Sequence, residues 1–177
     1  MAFRRNTRGE KLPDVLVPGL DVVFVGTAPS RRSAAVGAYY AHPGNRFWTA
    51  LHEVGITPRL YEPHEYAQLI HLGIGFTDMA KRAAGMDHEI DPALFEVERF
   101  EKEILRCRPR AVAFTSKKAA SVWMGVPTGR ILHGHQRRLK PDFPEVFVLS
   151  SPSGAARRSW SIEPWAALAR FLRSSIR

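Results

Sequence analysis

Apolar positions along the chain follow two rhythms. Short uninterrupted runs at Val22-Val23-Phe24-Val25, Ala111-Val112-Ala113-Phe114 and Val146-Phe147-Val148-Leu149 suit strands buried on both faces. Ile74-Gly75-Phe76-Thr77 reads as a shorter strand leading into Asp78. Between these runs the spacing turns helical. A helix is predicted over residues 43–54, entered at Pro43 and stopped by Gly55, with Phe47, Leu51 and Val54 sharing a face. Further helices are expected over 63–72, ended by Gly73, and over 92–107, with Phe95, Phe100, Ile104 and Leu105 as apolar members. Two more are expected over 117–124 and 164–172. The intervals 26–42, 81–91 and 126–142 read as loops. Strands alternating with helices predict a three-layer α/β/α sandwich with a mostly parallel sheet of about four or five strands. Residues 1–12 are polar and basic, and are expected to form a flexible arm ahead of one domain spanning 13–177.

Composition narrows the class. Hydrophobic residues make up 45% of the 177 and charged residues 24%, the balance of a globular protein. No apolar run approaches the roughly 18 residues a membrane helix needs. The N-terminal MAFRRNTRGEK is basic but is followed by no apolar segment, unlike a secretory signal, so a cytoplasmic protein is expected. The single Cys107 excludes an intramolecular disulfide framework and a cysteine-ligated iron–sulfur cluster. The net charge of +9 favours a polyanionic partner, although charge alone does not separate nucleic acid from an anionic membrane or from simple solubility.

Three loops fall at the carboxyl ends of predicted strands, where α/β folds bind ligands. The first, 26–42, opens with Gly26-Thr27-Ala28-Pro29-Ser30 and closes with Tyr39, Tyr40 and His42. The second, 77–85, holds Thr77 and Asp78 with Lys81 and Arg82 beside them. The third, 150–158, is a run of small residues ending in Arg157 and Arg158. Small residues let a backbone approach a phosphate or enter a groove, and arginine pairs well with phosphate oxygens. An aromatic, a carboxylate and basic loops converging in this way suggest a pocket for a base beside a surface for a nucleic-acid backbone.

These residues resemble the mismatch-specific uracil/thymine-DNA glycosylases of the uracil-DNA glycosylase superfamily. Gly26-Thr27-Ala28-Pro29-Ser30 is similar to that family's G-I-N-P-G, and Tyr40-Ala41-His42-Pro43-Gly44-Asn45-Arg46-Phe47-Trp48 follows at its spacing. Gly73-Ile74-Gly75-Phe76-Thr77-Asp78 resembles its G-I-G-F-T-N segment, and Ser151-Pro152-Ser153-Gly154-Ala155-Ala156-Arg157 its N-P-S-G-L-S-R loop. The resemblance spans about residues 20–172. It implies an enzyme that flips uracil out of DNA and cleaves its N-glycosidic bond, leaving an abasic site. It implies no metal or organic cofactor, no membrane, uracil-containing DNA as partner, and action as a monomer. Tyr40 then stands where the family's aromatic stacks on the base, with Gly26, Thr27, Ala28, Pro29, Asn45 and Thr77 around the substrate. Residues 151–157 match the loop that penetrates the duplex, so Ser153, Gly154, Ala155, Ala156, Arg157 and the adjacent Arg158 are expected on DNA.

The departures are specific. Ala28 replaces the asparagine that activates water, although a broad-specificity branch of the superfamily also carries G-x-A-P. Asp78 is the candidate substitute, as water positioner or as stabiliser of the charge developing on the sugar. His42 and Ser151 are candidates for stabilising the departing base. Ala155 replaces a large wedge residue, which predicts weaker reading of the opposing base. Each assignment has a plainer counterpart: Asp78 as a helix cap, His42 as a loop brace, Tyr40 as core packing. His133 and His135 lack further metal ligands and are expected at the DNA-facing surface or in solvent, and Arg137, Arg138 and Lys140 on a solvated face or on phosphates. Alternatives for the whole chain are a catalytically inactive protein that binds uracil or abasic lesions, and a glycosylase preferring hypoxanthine or xanthine.

Overall fold

A computed structural model describes residues 9–137 and 140–174. Most of the expected basic arm and Arg138 of the charge run lie outside that range. Five strands form one sheet in the order β2-β1-β3-β5-β4. They are β1 (Val22–Gly26), β2 (Ile74–Asp78), β3 (Ala111–Phe114), β4 (Gly134–His135) and β5 (Glu145–Val148). The first four in that order are parallel, and β4 runs antiparallel to β5. The fold is thus the expected α/β sandwich, with a mostly parallel sheet.

Period-two alternation divides the core between the two faces of the sheet. Val22 and Phe24 of β1 face one side with Phe76, Phe147, Phe47 and Trp165, beneath α2 (Phe47–Glu53) and α5 (Glu163–Ser174). Val23 and Val25 face the other, with Val112, Phe114, Phe100 and Trp123, beneath α3 (Val97–Cys107) and α4 (Lys117–Met124). Leu12 is 1% exposed and Val15 bridges antiparallel to Phe76, so the chain is already part of the core before β1.

Helix ends depart from the sequence pattern where local caps decide. α2 begins at Phe47 rather than at Pro43, because Asn45 Oδ1 accepts the Phe47 N–H at 2.9 Å. Pro63–Leu72 is wound as a 3-10 helix, closed at Gly73, whose φ of 73° is the left-handed turn glycine takes without strain. The expected helix 92–107 is split into a short turn, Pro92–Leu94, and α3. The first loop contains a helix of its own, α1 (Arg31–Val36), capped by Ser30 accepting from the Ser33 N–H at 3.0 Å. The interval 126–142, expected to be irregular, supplies the short edge strand β4.

Candidate active site

The parallel register aligns the carboxyl ends of the strands. Gly26 lies opposite Asp78, and Val25 opposite Phe114. β1 continues into one loop while its neighbours on both sides continue into others, and a cavity of about 360 Å³ opens where they part. Its wall includes Gly26, Thr27, Ala28, Pro29, Tyr40, Asn45, Asp78, Ser151, Ser153, Ala155 and Ala156, which brings all three sequence motifs together.

Asp78 forms the closed end. It is 2% exposed, and its Oδ2 is buried without a hydrogen-bond partner. A Cβ on Gly26 would lie 2.5 Å from Asp78 Oδ1, so the absence of a side chain at 26 is what makes room for the carboxyl. Burial raises the Asp78 pKa to about 6; Lys81 and Arg99 pull it down and Asp14 pushes it up. No helix starts at Asp78: the next two N–H groups donate to the carbonyls of Gly26 and Thr27, both at 2.9 Å.

A buried ionic cluster backs this carboxyl. Asp14 Oδ1 accepts from Lys81 Nζ at 2.8 Å and from the Thr77 hydroxyl at 2.7 Å, while its Oδ2 accepts from Arg99 Nη1 at 3.0 Å. Lys81 is 1% exposed and also donates to the Tyr39 hydroxyl at 3.2 Å. Arg99 Nη2 donates to the Asp78 carbonyl at 2.5 Å, which pins the backbone that carries the carboxylate.

Tyr40 supplies a flat wall. Its φ of 51° is rare for a bulky residue, and the strain is held by contacts at both ends of the ring. The ring stacks on Phe47 at 3.9 Å between centroids, tilted by 9°, and the hydroxyl lies 3.2 Å from Thr115 Oγ1.

Two expected contacts are corrected by the geometry. Thr77 is fully buried and its hydroxyl is committed to Asp14 behind the cavity wall, so it does not reach the substrate space. His42 is exposed and outside the cavity lining, and its Nδ1 accepts the Gly44 N–H at 3.0 Å, the bond of a loop brace. The third loop is docked on the first through Arg46 N–H to the Pro152 carbonyl, 2.8 Å, and carries a short helical turn, Gly154–Ser159. Gly154 packs against the backbone of Gly44, and Arg157 and Arg158 are exposed. His135 pairs with Glu145 at 2.6 Å and stacks on Phe147, and Lys140 pairs with Glu101. Among the described residues no group of three histidine, cysteine or carboxylate side chains could hold a metal.

Several wall residues escaped the sequence reading, among them Asp87, His88, Thr115 and Ser116. Asp87 lines the cavity, its carboxyl pKa raised by partial desolvation and eased downward by the neighbouring Thr27 hydroxyl. The loop that carries it is held to the first loop by Gly85 N–H to the Pro29 carbonyl, 3.0 Å, and by Arg31–Glu89, 2.9 Å. In the sequence it reads as a loop with charges of both signs, and these contacts reveal its position.

Comparison with known proteins agrees with this fold. The uracil DNA glycosylase superfamily model matches residues 13–171. The solution NMR structure of a protein from Methanosarcina acetivorans, described as a candidate uracil DNA glycosylase, is 26% identical with a TM-score of 0.58, over 92% of this chain and 96% of that one. No helix among the described residues is long and apolar enough to cross a membrane. With the family model covering nearly the whole fold, the chain belongs to the uracil DNA glycosylase superfamily.

Proposed function

We propose that this protein is a monofunctional uracil-DNA glycosylase, nearest within its superfamily to the mismatch-specific uracil/thymine branch. It flips uracil out of DNA and hydrolyses the N-glycosidic bond without metal or organic cofactor. The observation that carries this reading is Asp78, a buried carboxyl with one unpartnered oxygen at the end of a cavity large enough for a base. As the bond between C1′ and the base nitrogen breaks, the electron pair leaves with the base and positive charge grows on the sugar. An ionised Asp78 stabilises that charge and orients the water that adds to C1′, taking up the proton the water gives up, which then passes to the base anion or to solvent. Tyr40 offers the stacking face. Asn45, whose Oδ1 is held by Phe47 N–H, keeps its amino group as donor for a base carbonyl. Ser151 and the backbone around Ala28 border the same space. Lys81 is buried and bonded to Asp14, which supports hydrolysis by water over attack by an amine. Ala155 and Ala156 stand at the mouth and Arg157 and Arg158 outside it, an order suited to a duplex lying across the third loop.

Labelled oligonucleotides carrying uracil, thymine or hypoxanthine, single-stranded or opposite guanine or adenine, test the reading by base release and alkaline cleavage. Release of uracil is expected. No release from any strand, with lesion binding retained in a gel shift, would instead favour the inactive binder, the reading that the methyl group of Ala28 supports. Gly26→Ala is a second check: its Cβ must displace the Asp78 carboxyl, so uracil release should fall at least about tenfold while far-UV circular dichroism is unchanged.

A further inference from the structure

The antiparallel strand β4 brings an unassigned segment to the cavity-bearing edge. Gly134 pairs with Val148, so residues entering β4 emerge beside those leaving β5 for the third loop. There Leu132 is 77% exposed, more than any other large apolar side chain among the described residues. It does not sit on a loose tip. Ile131 beside it is 3% exposed and its N–H reaches the Thr128 carbonyl at 3.2 Å, while Gln136 Nε2 donates to the Leu132 and Gly134 carbonyls, each at 2.9 Å. A leucine left in water forgoes roughly 1.5–3 kcal/mol of burial, and here a braced backbone holds it out.

Its surroundings are cationic. Residues 117–137 and 149–159 include six lysines and arginines and no aspartate or glutamate. Lys117 opens α4 at the end of β3, on this same edge, and its charge helps burial to lower the pKa of His133. Arg130 is exposed two residues from Leu132. An apolar side chain flanked by two cationic, carboxylate-free segments suits a polyanion with apolar surface between its charges, which is what a DNA groove and its base steps offer. Beyond the buried Pro152, the third loop brings only the methyls of Ala155 and Ala156 as apolar groups to the cavity, so an apolar wedge beside it has a use.

We propose that residues 128–133 form a second duplex-gripping element, with Leu132 inserted into the DNA near the flipped nucleotide and Arg130 and Lys117 on flanking phosphates. This rests on the glycosylase reading. Three strand spacings separate β4 from β1, roughly 14 Å or about four base steps, so the contact falls on the duplex flank. It therefore concerns duplex DNA and not the single strand.

The test compares wild type, Leu132→Ala and Arg130→Gln on a uracil duplex and on the same strand alone, by dissociation constant and single-turnover release. Leu132→Ala should weaken duplex affinity about tenfold with single-strand affinity unchanged, and Arg130→Gln should lower the salt dependence of duplex binding by about one ion. 2-Aminopurine placed within the flank should brighten with wild type and not with Leu132→Ala. Equal duplex affinity and equal fluorescence for Leu132→Ala and wild type would overturn the proposal. If wild type releases no base at all, the glycosylase reading fails, while duplex affinity still decides the role of Leu132.

Discussion

Asp78→Asn is expected to lower single-turnover uracil release by about a thousandfold while DNA affinity changes no more than a few fold. The pH profile provides the signature. Wild-type release should climb with pH through about 6, as the buried carboxyl ionises, and level off above it. The asparagine variant should lack that limb. Stability moves the other way. The folded carboxyl titrates near 6 against an ordinary 3.8, so the folded state holds the proton more tightly and stability falls as pH rises across that window. At about 1.4 kcal/mol per pH unit the deficit above pH 6 is about 3 kcal/mol. Asp78→Asn, with no charge to bury, should therefore melt several degrees higher than wild type at pH 8, as followed by calorimetry. Loss of turnover with gain in stability is the mark of a carboxylate kept for chemistry; one kept for the fold would give a less stable variant.

Asp14→Ala should have the largest effect on folding. It leaves the Lys81 ammonium fully buried with the Tyr39 hydroxyl, and takes from Arg99 its best carboxylate partner. Removing one member of such a pair costs about 3–5 kcal/mol, to be read as a fall in the urea midpoint at constant slope. A combined Asp14→Ala, Lys81→Met variant should recover a good part of that loss, because an apolar pair of similar size is nearly neutral where a lone charge is not. In whatever fraction of Asp14→Ala remains folded, the acid limb of base release should move to lower pH, since Asp14 is one of the charges holding the Asp78 pKa up.

How far the sequence discloses this molecule depends on the range of the interaction concerned. Strands were legible because Val22 to Val25 and Ala111 to Phe114 are buried on both faces, and their composition states it directly. Gly55, Gly73 and Gly125 mark helix ends that a left-handed turn requires. α1 went unseen because Arg31-Arg32-Ser33 reads as polar loop, although Ser30 and Gly37 cap both its ends. β4 is too short for any pattern and exists because β5 offers an edge. In the site, local motifs put Ala28, Tyr40 and Asp78 near one another. They did not show that Thr77 turns inward to Asp14, 63 positions away, or that Asp87 folds back over the first loop. The Asp14–Lys81–Arg99 cluster joins three distant segments, and nothing in any one of them announces the other two.

The bridge between Val15 and Phe76 has a consequence for how these molecules meet one another. Both backbone groups of Phe76 on the outer side of β2 are taken, at 2.9 and 3.0 Å, and the opposite side of the sheet ends in the two residues of β4. Among the described residues neither border offers a long row of open donors and acceptors on which a second chain could extend the sheet. A version beginning near Val17 would lose that seal together with Asp14. It would combine a weakened interior with an uncovered, apolar strand border, and should pass readily from partial unfolding to fibrous aggregation.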